Sequence, residues 1–149
     1  MTSQYQYYSG TNRLKRVSGS NDQFMYDLNG NVTTDSLNKN TSAVYDHRNL
    51  LIEIYHKRGT PPARIDYFAT RYFYDEAGNR VRKLTYNNND ANAGPVLDWN
   101  NTSNPGNSWT LFNNEHYARG VDGKELATYT GNTLTEFLSQ QSHPDNLLF

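Results

Sequence analysis

Along NLLIEIY, Leu50, Ile52 and Ile54 alternate with Leu51, Glu53 and Tyr55, so one face of the segment is aliphatic and the other mixed. A period of two over that length predicts a strand with one strongly buried side. QFMYD and KELATYT are shorter versions. RYFYDEAGNRVRKLTY sets an aromatic run before Asp75 and alternating basic and apolar residues after Gly78. The best helical candidate is NTLTEFLSQQ, Asn132 to Gln141, with Leu134, Phe137, Leu138 and Gln141 at i, i+3, i+4 and i+7; a run this short reads equally as a strand. The pattern as a whole predicts an all-β chain of antiparallel hairpins.

What punctuates the runs is a repeat. YSGTNRLKRV from Tyr8, YDLNGNVTTD from Tyr26, YDHRNLLIEI from Tyr45 and YDEAGNRVRK from Tyr74 each begin with Tyr and carry Asn or Gly four residues on. The starts are 18, 19 and 29 residues apart, the extra length falling around KRGTPPARID. Turn chemistry explains the offsets. The first residue of a type I turn favours Asp, Asn or Ser, whose side chain accepts hydrogen bonds from the turn backbone. Ser9, Asp27, Asp46 and Asp75 occupy that place. A following left-handed residue, as in a G1 bulge, suits Gly and is tolerated by Asn. Asn12, Gly30, Asn49 and Gly78 occupy that one. A fifth copy, YARGVDGKELATY, starts at Tyr117 and keeps Gly123, but Gly120 stands where the capping side chain would be, so this hairpin is expected to be less rigid.

Residues 1–149 read as one domain with loop insertions near 57–66 and 87–108. The second, NNNDANAGPVLDWNNTSNPGNS, is rich in Asn, Gly and Pro, with Val96, Leu97 and Trp99 as a tether to the sheet. Hairpin repeats flank both insertions, so neither reads as a domain linker. Phe149 follows DNLL without a stop signal in the pattern, which reads as truncation.

Composition narrows the function classes. Only 35% of residues are apolar, and twelve Tyr outnumber six Phe and two Trp, so much of any core comes from rings with a polar tip. A net charge of −1 with scattered Lys and Arg gives no field for a polyanion, which disfavours nucleic acid. Without Cys there is no disulfide framework, thiolate metal site or Cys nucleophile. MTSQYQYYSGTNRLKR has no apolar signal-like core, and no stretch is apolar for long enough to insert in a membrane as a helix. Four Asn-x-Ser/Thr matches, at Asn31, Asn40, Asn100 and Asn101, are what an Asn-rich chain produces by chance.

Tandem YDxxGN motifs, with GTNRL before them and YxRGVDGKELA after, resemble the YD repeats of the Rhs family, which includes teneurins and the shell components of insecticidal toxin complexes. The resemblance spans roughly Tyr5 to Phe137 and is specific because the motif recurs in register. It implies antiparallel strands wound into a curved or spiral sheet, an arc of a shell that in long members encloses a toxin polypeptide. It also implies a secreted or cell-surface location as part of a larger protein. The implied partners are neighbouring repeats of that polypeptide or a second copy paired at exposed sheet edges, with an enclosed toxin or a surface glycan as further candidates. Aspartyl self-cleavage and Asp-Pro-x-Gly elements of the family's carboxy-terminal core have no counterpart in SQQSHPDNLLF, so no catalytic residue is carried over.

The remaining chemistry weighs towards structure. Asp27, Asp46 and Asp75 sit where turns want a cap, whereas a carboxylate-pair hydrolase needs two such groups across one cleft. DLNGN matches part of a calcium loop but lacks the alternating ligands and closing Glu. His47, His56, His116 and His143 show no metal-ligand spacing, and no Gly-x-Ser-x-Gly elbow or phosphate loop is present. No cofactor is expected. Tyr8, Tyr26, Tyr45 and Tyr74, with Tyr117 in the fifth copy, are expected to stack as a ladder between hairpins. Alternatively, tyrosine and tryptophan faces edged by Asn would make a carbohydrate platform, with Trp99 and Trp109 as the first candidate contacts.

Overall fold

The computed structural model describes residues 5–59, 64–88, 97, 99, 109–131 and 133–137. They form eleven strands: β1 (Gln6–Tyr7), β2 (Leu14–Arg16), β3 (Phe24–Tyr26), β4 (Val32–Asp35), β5 (Asn40–Tyr45), β6 (Leu51–Arg58), β7 (Asp66–Tyr74), β8 (Arg80–Asn88), β9 (Thr110–Arg119), β10 (Glu125–Thr130) and β11 (Thr133–Phe137). Strands β3 to β11 make one antiparallel sheet in sequence order, and β1–β2 is a separate hairpin. The end strands β3 and β11 do not pair, so the sheet is an open meander and not a closed barrel. Gln23 N–H donates to Lys15 O at 2.9 Å, which sets β2 beside β3.

Of the segment that fitted either a helix or a strand, residues 133–137 are strand β11, paired from Ala127↔Phe137 to Thr130↔Thr133. Tertiary pairing decides a short run whose own periodicity is ambiguous. Residues 132 and 138–141 lie outside the described residues. No helix among the described residues is long and apolar enough to cross a membrane.

Neighbours in the ladder show how the core forms. The row Tyr55–Ala69–Tyr86–Leu111 runs across β6 to β9, and Glu53–Arg71–Leu84–Asn114 runs beside it on the same face. Ala69 is fully buried, and its small side chain leaves room for rings above it. Leu97 and Trp109, 3% and 5% exposed, fill that room together with Leu84 and Tyr86. Both come from the connection between β8 and β9, so the insertion supplies the cover that a single sheet layer lacks. Val96, the other expected tether residue, lies outside the described residues. The strands also redraw the insertions: β6 runs through Arg58 and β7 starts at Asp66, leaving 59–65, while the larger one spans 89–109.

Candidate functional site: a row of turns and a covered face

Strand alternation sends the odd connections of a meander to one end of the sheet. There the connections 27–31, 46–50, 75–79 and 120–124 are each five residues long. Each is closed by the same two backbone bonds, for example Gly78 N–H to Asp75 O at 3.1 Å and Asp75 N–H to Asn79 O at 3.0 Å. The fourth residue is left-handed each time: Gly30 at φ 93°, Asn49 at 61°, Gly78 at 84° and Gly123 at 76°.

In three of these turns the aspartate organises the loop. Asp75 Oδ1 accepts from Asn79 N–H at 2.8 Å and Oδ2 from Asn79 Nδ2 at 3.0 Å. Asp27 does the same with Asn31, at 2.8 and 2.9 Å. Asp46 accepts from Leu50 N–H and Arg48 N–H, both at 2.9 Å, and from Arg48 Nε at 3.0 Å. The Asn31 and Asn79 side-chain hydrogen bonds hold the Asp27 and Asp75 carboxyls below the usual range. At Asp46 desolvation opposes the shift, but hydrogen bonds from Leu50 and Arg48 outweigh it, and the carboxyl is again lowered. These are hydrogen-bonded carboxylates directed at their own backbone, an arrangement for holding a corner and not for moving a proton.

The first copy departs from the expected frame. Thr11 N–H donates to Tyr8 O at 3.1 Å, and the left-handed residue is Gly10 at φ 72°. The turn therefore begins at Tyr8, one residue before Ser9, with positive φ at its third position, as a type II turn requires. Ser9 is not its cap and Asn12 is not its left-handed residue. Gly10 won the strained position because it lacks a Cβ. Thr11 Oγ1 takes the local hydrogen bond instead, accepting from Arg13 N–H at 3.1 Å.

The repeat tyrosines bind backbone rather than stacking as a ladder. Tyr26 OH donates to Leu14 O at 2.9 Å, Tyr45 OH to Val32 O at 2.9 Å and Tyr74 OH to Leu51 O at 2.8 Å. Leu14, Val32 and Leu51 are the first residues of β2, β4 and β6. Each hydroxyl thus ties the end of one hairpin's first strand to the start of the previous hairpin's second strand. Tyr8 reaches forward, to Phe24 O at 2.8 Å, and its ring meets Tyr26 edge-on at 6.1 Å, the one ring contact among the five repeat tyrosines. In the fifth copy the tie is made by Arg119, whose Nε donates to Arg80 O, the first residue of β8, at 2.8 Å. Tyr117 stands two residues too early and donates to Glu115 Oε2 at 2.7 Å. Burial, and then this carboxylate, push the Tyr117 phenol strongly upward.

Side chains also link successive turns. Arg13 Nη1 donates to Asp27 O at 3.3 Å, Asn31 Nδ2 to Asn49 Oδ1 at 2.8 Å, and Arg48 Nη1 to Asp75 O at 3.0 Å. Arg119 Nη1 donates to Gly123 O at 3.0 Å within the last turn.

Neither tryptophan is placed as an exposed platform. Trp109 is buried and meets Tyr55 edge-on at 6.4 Å. Trp99 is half-buried: the Arg71 guanidinium lies 4.4 Å from its ring centre, Tyr86 meets it edge-on at 5.9 Å, and its Nε1 donates to Tyr55 OH at 3.2 Å. Sequence shows two large rings in a polar loop, which fits a sugar platform as well as it fits a core plug. Trp109 is part of the buried core, and Trp99 packs against its edge with one side still accessible. Among the described residues no three His, Asp or Glu side chains gather closely enough to hold a metal ion.

No family model, curated protein or solved structure matches this chain.

Proposed function

We propose that the chain is a non-catalytic segment of a shell wall of the Rhs/YD-repeat kind, a mechanical element that continues by adding hairpins and forms an arc around, or beside, another polypeptide. The carrying observation is the recurring tie from the end of one hairpin to the strand start of the one before it, at Leu14, Val32, Leu51 and Arg80. A contact that joins each unit only to its neighbour is what an extendable repeat array needs. The burial of Trp109, and the contacts of the half-buried Trp99 with Arg71, Tyr86 and Tyr55, weigh against a glycan platform at those rings.

The test is the mass of the native polypeptide in its source, by immunoblot against this segment with mass-spectrometric peptide coverage. A product far above 17.1 kDa, with repeat peptides on both sides, is the expected result. A product near 17.1 kDa would overturn the wall reading and leave a free-standing module.

A further inference from the structure

The insertion covers one face of the sheet. The opposite face carries a groove of about 520 Å³ over β6 to β9. One wall is aromatic. Phe112, 60% exposed, meets Phe68 edge-on at 5.3 Å, and the His56 ring lies flat on Phe68 at 5.0 Å and 13°. The floor is polar: Thr70 and Thr85 stand opposite each other in the ladder with their hydroxyl oxygens 3.0 Å apart. A hydroxyl pair uses one proton on itself, so the second proton and the spare lone pairs remain for a ligand.

The charge of the groove is one-sided. Arg58 and Lys83 line it, and among the described residues no carboxylate does. Lys83 is held by Glu115 at 3.3 Å, whereas Arg58 forms no ion pair among the described residues. Asp66, opposite Arg58 in the ladder, is engaged by Arg64 at 2.9 Å. Burial, and then the charge of Arg58, lower the proton affinity of His56, so its ring is neutral near pH 7 and adds a donor and an acceptor without competing charge.

Strands β6 to β9 are paired on both sides, so the backbone under the groove is already engaged in the ladder. An extended peptide would find no free row of N–H and C=O groups, the feature on which strand addition depends. Recognition has to come from ring surface, hydroxyls and one guanidinium. That combination suits a sugar ring, with apolar C–H faces and hydroxyl edges, bearing a carboxylate.

We propose that this groove is a binding site for an acidic saccharide, with Phe112 and Phe68 against the sugar face, Thr70 and Thr85 at its hydroxyls and Arg58 on its carboxylate. The site is independent of the wall reading, because it needs only the sheet and not further repeats.

The experiment is calorimetric titration of the full chain with tetragalacturonate, with maltotetraose and tetraglutamate as comparisons, at low and high salt. Saturable tetragalacturonate binding that weakens with salt is expected, without binding of the other two. Arg58→Gln and Phe112→Ala should each lower affinity about tenfold or more; Arg58→Gln, at an exposed side chain without an ion pair among the described residues, should leave the thermal midpoint unchanged, while Phe112→Ala should lower it only slightly through the lost contact with Phe68. Amide shifts on titration should be confined to β6–β9. Absence of tetragalacturonate binding, equal binding of either comparison, indifference to both substitutions, or shifts centred elsewhere would each overturn the site.

Discussion

Gly78 isolates what a single residue contributes to the turns. Its φ is 84°, and a Cβ added there would meet only Leu50 Cδ1, at an ordinary 3.6 Å. Gly78→Val therefore tests backbone conformation with little steric clash, and a loss of about 1–3 kcal/mol in urea unfolding is expected. Asp75→Ala should destabilise less, because both closing backbone bonds of the turn remain. The fifth turn shows as much, keeping these bonds with glycine at the capping place. The lowered carboxyls of Asp27, Asp46 and Asp75 also set a pH response. A depressed folded-state pKa gives stability that is complete above the unfolded value and lost as pH falls through the folded one. The stability these three aspartates supply should therefore hold steady from neutral pH down to about pH 5 and be lost below about pH 4; the gap in unfolding midpoint between the native chain and a variant with all three replaced by Asn should narrow over that lower range. The aspartates were legible in sequence because a type I turn constrains both first and fourth residues. Ser9 and Asn12 misled because Gly10 beside them satisfies a different turn of nearly the same length. Lys39, left-handed at φ 60° between β4 and β5, gave no sequence signal, since lysine has no special preference for that conformation.

At the scale of elements, the tie between hairpins predicts where stability is shared. Tyr74→Phe removes the bond to Leu51 O and should cost about 0.5–1.5 kcal/mol. Arg119→Met should do more local damage, because that guanidinium reaches Arg80 O, Gly123 O and Glu125 together. Faster amide exchange is expected in the β9–β10 hairpin, with the β5–β6 hairpin unaffected. Exchange that rises equally in both would mean that the sheet opens as one unit. Alternation and turn spacing made most strands readable in advance. The role of Arg119 was not, because the fifth copy, although Gly120 and Gly123 stand in register, carries its tyrosine at 117, two residues before the position that makes the tie. A search for any long donor at the residue before the turn, instead of for tyrosine, would have found it.

Over the whole molecule, one sheet layer is completed by an insertion. Sequence placed Trp99 and Trp109 in a polar loop but could not say which face they covered, since that depends on how β8 and β9 pair across a connection of 21 residues. Trp109→Ala should destabilise by about 3–5 kcal/mol, a core penalty, measured as a shift in the urea midpoint. The two ends of the meander also differ in kind. Five-residue connections recur at one end, whereas at the other 17–23, 36–39, 59–65, 89–109 and 131–132 range from two residues to 21. The scaffold therefore has one end that fixes register and one that tolerates foreign sequence. An epitope tag inserted between Gly19 and Ser20 should leave the fold intact, whereas the same tag between Ala77 and Gly78 should unpair β7 from β8. New loops can be grafted at the permissive end, several side by side on a common rigid support, much as antibody loops are displayed from their framework.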